Sequence, residues 1–214
     1  TKPHRCFKEN MLGHQGFLLS AEQRALIVAR DARSAEIIHP YLNGVDALTG
    51  AALDRFVLDF EQRDALQAAA YPGAHEWVKT NVLPDRMRKA EEGKDADGKM
   101  RSHHKAFLAR WWQLSFGRPE MLSVIKPLPR YLCCAYVTKR PIFIFASSAI
   151  RPSNLIQVFG FADDYSFGIL QSAAHWQWFI AKCGKLKSDF RYSAESVFDT
   201  FPWPQAPSEK QIDR

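Results

Sequence analysis

The feature that most restricts the fold is a change of texture after residue 130. Residues 131–138 (YLCCAYVT), 142–146 (IFIFA) and 155–161 (LIQVFGF) are short runs rich in β-branched and aromatic side chains. Polar or proline-containing turns separate them, and that spacing predicts a meander of neighbouring strands. Residues 165–183 (YSFGILQSAAHWQWFIAKC) follow as the longest predicted helix. Asp163 or Asp164 caps its start and Gly184 ends it. The second half of the chain is thus expected to form an antiparallel or mixed sheet packed by a long helix.

Upstream, helix signals dominate. Ser20 and Gln23 make a capping box at the head of residues 20–29. Asn43 and Gly44 mark a tight turn, and residues 56–60 (FVLDF) read as a short strand. Residues 64–70 are helix-prone and stop at Tyr71, Pro72 and Gly73. A basic helix is predicted over 75–90, with Pro84 starting, kinking or breaking it. Residues 91–100 are a polar loop. Residues 106–114, with Trp111 and Trp112, and residues 118–125 read as further helices. Residues 194–200 make a short helical turn, and the tail 205–214 is expected to fray. The fold class is α+β, with helices in the first half. Residues 1–204 form one functional domain, with a helix-rich part (1–128) and a β-rich part (129–204).

At 214 residues, 46% of them hydrophobic, the chain can bury a substantial core. The formal charge of +6 suits a polyanionic partner. Residues 79–110 carry nine Lys/Arg against five Asp/Glu, and residues 182–191 carry four against one. Cys6, Cys133, Cys134 and Cys183 form no C-x-x-C pair and read as reduced core thiols of a cytoplasmic protein. No apolar run reaches the ~18–20 residues that span a membrane, so no membrane partner is expected. The chain opens on Thr1 without a signal-peptide pattern, which leads to the expectation of a piece of a longer protein.

Complete catalytic patterns are absent. Glu92-Gly93-Lys94 with Asp85 has the residue types of a metal-dependent nuclease, but it falls in a glycine-containing polar loop that would hold a metal badly. Residues 95–98 (DADG) have the wrong register for a calcium loop. No G-x-G-x-x-G, Walker A, G-x-S-x-G or kinase signature occurs. His175, Trp111 and Trp112 read as core residues.

Lys187, Asp189 and Arg191 are two residues apart. If residues 185–193 form one strand, all three project from one face. Lys can donate to the O6/N7 edge of guanine, and Asp can accept from the N4 amine of its cytosine. The other reading of the same pattern is a solvated edge strand whose charges block aggregation.

Several phrases taken together resemble a known family. They are GFLL (16–19), HPYLNG (39–44), YPG (71–73), RWW (110–112), FGILQSAAHWQW (167–178), LKSDFRYS (186–193) and VFDTFPWP (197–204). In that order, over residues 6–204, they resemble the target-recognition region of MmeI-like (type IIL) restriction-modification proteins, which are DNA adenine-N6 methyltransferases. The resemblance implies a fragment that reads double-stranded DNA beside the methyltransferase domain of the same parent chain. Neither the family's glycine-rich S-adenosylmethionine turn nor its (N/D)-P-P-(Y/F) loop occurs here. The fragment is therefore expected to be inactive and to hold no cofactor, with S-adenosylmethionine bound elsewhere in the parent.

The resemblance adds weight to a base-reading role for the Lys187 group, and charge and position suggest the rest. Lys187, Asp189 and Arg191 are expected to read bases, as are Lys139, Arg140, Arg151 and Asn154 at the ends of the β-runs. Arg86, Arg88, Lys89, Lys182 and Lys185 are expected to meet phosphates. Two alternatives stay open at this point. One is a recognition module of another DNA-modification or phage-defence system. The other is a protein-interaction domain with a merely solvated basic face.

Overall fold

The computed structural model describes residues 5–7, 11–50, 52–93, 102–186, 189–205 and 208–209. In chain order, β1 (Cys6–Phe7) precedes β2 (Leu18–Ser20), helix α1 (Ala21–Arg30), β3 (Ile38–Leu42), α2 (Gly44–Thr49) and β4 (Arg55–Leu58). Five helices follow: α3 (Ala65–Ala69), α4 (Pro72–Asn81), α5 (Leu83–Glu92), α6 (Ser102–Ala109) and α7 (Pro119–Ile125). Next come β5 (Arg130–Ala135), β6 (Val137–Thr138), β7 (Ile144–Ser147), β8 (Arg151–Pro152) and β9 (Ile156–Phe159). The last elements are α8 (Asp164–Gln171), α9 (Ala173–Lys182), β10 (Gly184–Leu186), β11 (Asp189–Arg191) and a π-helical turn over Ala194–Phe198.

These elements fall into two compact units. A helical unit takes Asn10–Tyr41 and Leu53–Pro119, and a sheet unit takes Thr1–Glu9, Leu42–Ala52 and Glu120–Arg214. Each unit has its own apolar core.

In the helical unit β4 pairs antiparallel with β2 and β3, in register Leu19↔Phe56 and Ile38↔Leu58. Phe17, Leu19, Ile27, Val57, Phe60 and Val78 pack behind it. The capping box is present as expected. Ser20 Oγ accepts from the Gln23 amide at 3.2 Å, and Gln23 Oε1 accepts from the Ser20 amide at 2.9 Å. Such a cap contributes about 1 kcal/mol. Asp64 and Gln67 make a second one at α3. Trp112 is core, its indole donating to the Arg63 carbonyl at 2.9 Å.

The basic helix expected over 75–90 is two helices, α4 and α5, that part at Val82. Pro84 sits in the first turn of α5, where a missing backbone N–H breaks no bond. The polar loop expected over 91–100 lies, beyond Gly93, outside the described residues.

The main sheet of the other unit runs β1-β9-β5-β7. All pairs are antiparallel, with Leu132 opposite both Phe145 and Phe159. The order departs from a simple meander. Strands β7 and β9 flank β5 and so run parallel to each other, which no tight hairpin can join. Residues 148–155 make the crossing. Both faces of β5 are covered, since Cys133 and Cys134 point to opposite sides and are both buried. Burial pushes the Cys133 thiol up to about 12, and the four cysteines are free thiols.

Three local expectations change here. The predicted helix 165–183 is α8 and α9, interrupted by Ser172. That residue is extended (φ −67°, ψ 156°), and its Oγ accepts from the His175 amide at 3.2 Å. A serine that caps a new helix competes with continuing the old one. Gly184 opens β10 instead of closing α9, whose C-cap is Cys183. Asn43 makes no tight turn. Its Oδ1 accepts from the Val45 and Asp46 amides and caps α2, which ends at Gly50 with φ 64°.

Candidate nucleic-acid interface

The segment expected as one strand over 185–193 is a hairpin. Strand β10 pairs antiparallel with β11, with Lys185 opposite Phe190 and Leu186 opposite Asp189. The chain therefore reverses between Leu186 and Asp189, and Asp189 and Arg191 lie on the second strand of the hairpin. Lys187 itself lies outside the described residues. Strand β6 extends the hairpin on its other side, with Phe190 opposite Thr138 and Arg191 opposite Val137.

Alternation along β11 decides what faces where. Phe190 packs edge-on against Phe179 of α9, with ring centroids 5.8 Å apart. Tyr192 is fully buried and stacks on the same Phe179 at 5.5 Å. Its hydroxyl is hydrogen-bonded to His175 Nε2 at 2.9 Å. Burial holds the His175 imidazole down to about 4, so the anchor is an uncharged bond at neutral pH. Arg191, between these two inward residues, is exposed.

Its guanidinium is not loose. Nε and Nη2 both donate to the Tyr136 hydroxyl, at 3.2 and 2.7 Å, and Cζ lies 5.3 Å from the Tyr136 ring centroid. Tyr136 sits in the gap between β5 and β6. The turn after β6 is closed by the Thr138 hydroxyl, which donates to the Arg140 carbonyl at 2.7 Å and accepts from the Arg140 amide at 3.2 Å. Lys139 and Arg140 stand exposed on that turn. The Arg140 guanidinium lies 5.5 Å from the Trp176 ring, and Lys182 Nζ lies 5.1 Å from the Trp178 ring. Each contact is a cation over an aromatic face, which restrains the charge without neutralising it.

Asn154 is exposed on the turn between β8 and β9. The next residue, Leu155, accepts from the Tyr136 amide at 2.8 Å. The structure thus gathers Lys139, Arg140, Asn154, Lys182, Arg191 and the backbone of Lys185 and Asp189 around one small sheet.

Two expected contact residues are elsewhere in role. Arg151 was expected to read a base edge, but it is 2% exposed and its Nη1 donates to the Ser148 carbonyl. A side chain held that deeply has no reach to a base. Arg86 was expected to meet phosphate, but it is 6% exposed in the core of the helical unit. Its Nη1 donates to the Phe107 and Arg110 carbonyls, both at 3.0 Å, and its guanidinium lies over Phe17 and Phe107. Burial, and then the charge of Arg110, pull it down to about 10.

Arg88 and Lys89 are exposed on α5, each beside a carboxylate. Lys89 pairs with Asp85 at 2.8 Å, while Arg88 pairs with Asp85 and with Glu92 at 2.7 Å. Hydrogen bonding from Lys89 is the largest of the effects that hold Asp85 below its usual range. Glu92 is thus an ion-pair partner rather than half of a metal pair. Among the described residues no group of three His, Cys, Asp or Glu is placed to hold a metal ion, and no helix is long and apolar enough to cross a membrane.

Sequence reasoning missed Tyr136, Trp176 and Trp178 as seats for the cations. Tyr136 stood inside the apolar run 131–138, seven of whose eight residues are apolar, and its partner is 55 positions away; only the fold brings them together.

The architecture is a mixed α/β domain that offers ring-seated cations beside a small hairpin sheet. A family model described as the MmeI target recognition domain matches residues 4–205, and the chain belongs to that family. A segment of 59 residues is 44% identical to DNA methyltransferase A of Bacillus subtilis (strain 168), covering 28% of this chain and 7% of that protein. Among solved structures, the type IIL restriction-modification enzyme MmeI in complex with DNA has the same fold, with a TM-score of 0.73 at 20% identity. That match covers all of this chain and 26% of the MmeI chain. The chain therefore spans about a quarter of the solved relative and a small part of the curated one.

Proposed function

We propose that this chain reads the sequence of double-stranded DNA for a site-specific DNA adenine-N6 methyltransferase of the restriction-modification type. The methyltransferase domain of the parent and its S-adenosylmethionine site lie outside these residues. The observation that carries this reading is the group of cations around β6, β10 and β11 in a target-recognition domain. Arg140, Lys182 and Arg191 lie against aromatic rings and a phenol, so their charge stays available to an anion.

In this reading Lys182, Lys185, Lys139 and Arg140 meet phosphates and set the register on the duplex. Asn154, Lys187, Asp189 and Arg191 face base edges, with Lys187 donating to a guanine and Asp189 accepting from its cytosine. A donor and an acceptor across one base pair distinguish G·C from C·G in the major groove. Neutralised cations also release counterions, so affinity falls steeply with salt.

The test uses the intact protein that carries this chain. Its modified sites are mapped for the wild type and for the double variant Lys187→Glu, Asp189→Arg. The expected outcome is inversion of one recognised G·C pair to C·G, with the other positions kept. An unchanged recognition sequence, or equal weakening at every position, defeats the assignment.

A further inference from the structure

The contact between Tyr136 and Arg191 goes beyond holding a side chain still. A guanidinium has two hydrogen-bonding edges, a lateral one made by Nε and Nη2 and a terminal one made by Nη1 and Nη2. Tyr136 takes the lateral edge. Both Nε–H and one Nη2–H point at a single phenolic oxygen, and its two lone pairs can accept both. What remains is the terminal fork.

Both partners are fixed from below. The Tyr136 amide donates to the Leu155 carbonyl at 2.8 Å, and the Tyr136 carbonyl accepts from the Tyr192 amide at 3.0 Å. One aromatic residue thus ties the 153–155 turn to the end of β11. Arg191 lies in the middle strand of the small sheet, opposite Gly184 on one side and Val137 on the other. Tyr192, the next residue, is locked in the core by His175 and Phe179. A free arginine would lose rotamer freedom on binding, and this one has lost much of it beforehand.

We propose that Tyr136 is a specificity-determining positioning residue: it occupies the lateral edge of Arg191 and presents the terminal Nη1/Nη2 fork to the O6/N7 edge of a guanine. The proposal rests on the DNA-reading function given above. Tyr136 touches no base. It acts on selectivity by restricting which edge of the guanidinium can meet one. A lateral approach, or a swing of the side chain to a phosphate, would require the phenol contact to break. The fork matches the two guanine acceptors, whereas adenine offers an acceptor and a donor at the corresponding positions.

The test is a selection of random duplexes by the intact protein in four forms: wild type, Tyr136→Phe, Arg191→Ala and the double variant. Phenylalanine keeps the ring over Arg191 and deletes only the oxygen. The wild type should enrich a sequence, and Arg191→Ala should lose the guanine preference at one base pair of it. Tyr136→Phe should lose preference at that same pair by about tenfold and keep the others. The double variant should be no less selective than Arg191→Ala, because the phenol has no role without the arginine. Thermal melting of each form separates selectivity from folding.

Several outcomes overturn the proposal. Undiminished preference in Tyr136→Phe is one. Another is an even loss at every position with a lowered melting temperature, which marks Tyr136 as a packing residue. A double variant clearly worse than Arg191→Ala gives Tyr136 a contact of its own. If the wild type enriches no sequence at all, the DNA-reading function itself fails and this inference falls with it.

Discussion

Helix α5 and the small β6–β11 sheet are both rich in Lys and Arg, yet their cations keep different company. On α5, Arg88 and Lys89 are paired with Asp85 and Glu92, and Arg86 is buried against carbonyls and rings. Around the sheet, Arg140, Lys182 and Arg191 lie over Trp176, Trp178 and Tyr136. A carboxylate cancels a charge that a ring only orients. Charge counts along a sequence weigh both stretches alike. The neighbours decide which one can attract an anion, and they point to the sheet.

The sharpest way to break this contrast is through Arg86. If it is a core residue, Arg86→Ala should destabilise the helical unit by about 3–4 kcal/mol. Two carbonyls lose their donor, and a gap opens between Phe17 and Phe107. Arg86→Met should cost less, since it refills the space without a buried charge. Denaturant unfolding measures both. A phosphate-binding arginine would instead leave stability intact and lower DNA affinity.

Acid probes the buried imidazole of the sheet unit. His175 is held near 4 in the folded sheet unit and returns to about 6.5 when unfolded. Its folded value is depressed, so the unfolded chain binds the extra proton between those limits. Stability is therefore fully present above about pH 6.5 and is lost as pH falls toward 4. Between pH 7 and pH 5 the sheet unit should lose about 2 kcal/mol. Hydrogen exchange resolved by residue should show the loss around α9 and β11. The variant His175→Gln should flatten that pH dependence. In the helical unit burial also lowers His14 and His75, so that unit too responds below the usual histidine range, while Asp85, depressed first by Lys89, contributes down to lower pH.

The smallest effects concern the exposed cations. Arg88→Gln and Lys89→Gln should each leave both stability and the salt dependence of DNA binding nearly unaltered. Arg140→Gln should lower the slope of log affinity against log salt by about one unit. Titrations at several salt concentrations compare them directly. Equal slopes for Arg88→Gln and Arg140→Gln would erase the distinction drawn between ion-paired and ring-seated charge.

Much of the fold was legible because its signals are local. Ser20 with Gln23 announces a helix start through residues three apart, and residues 64–70 announce one through composition. The runs at 131–138, 142–146 and 155–161 announce strands through composition alone. What stayed hidden depends on distant partners. Nothing near Arg86 or Arg151 tells that each will be enclosed. The reversal between Leu186 and Asp189 carries none of the Asn-Gly or Asp-Gly pairs that betray most tight hairpins, so the segment read as one strand. Ser172 looked like a helix interior residue because apolar periodicity continued on both sides of it. The outer residues of the candidate site are suggested by charge pattern and resemblance, whereas its supports are not, because Tyr136 and Trp176 are distinguished only by what folds against them.

The alternation on β11 sets different tolerances for two kinds of genetic change. Substituting Arg191 alters an outward residue while Phe190 and Tyr192 keep their places on Phe179. Removing or adding one residue in this strand would do something else, because a one-step slip in register exchanges the two faces. An aromatic ring would then turn to water and a guanidinium would press into the core. Point replacements can therefore re-letter this part of the domain at little expense to folding, whereas insertions and deletions there should be purged.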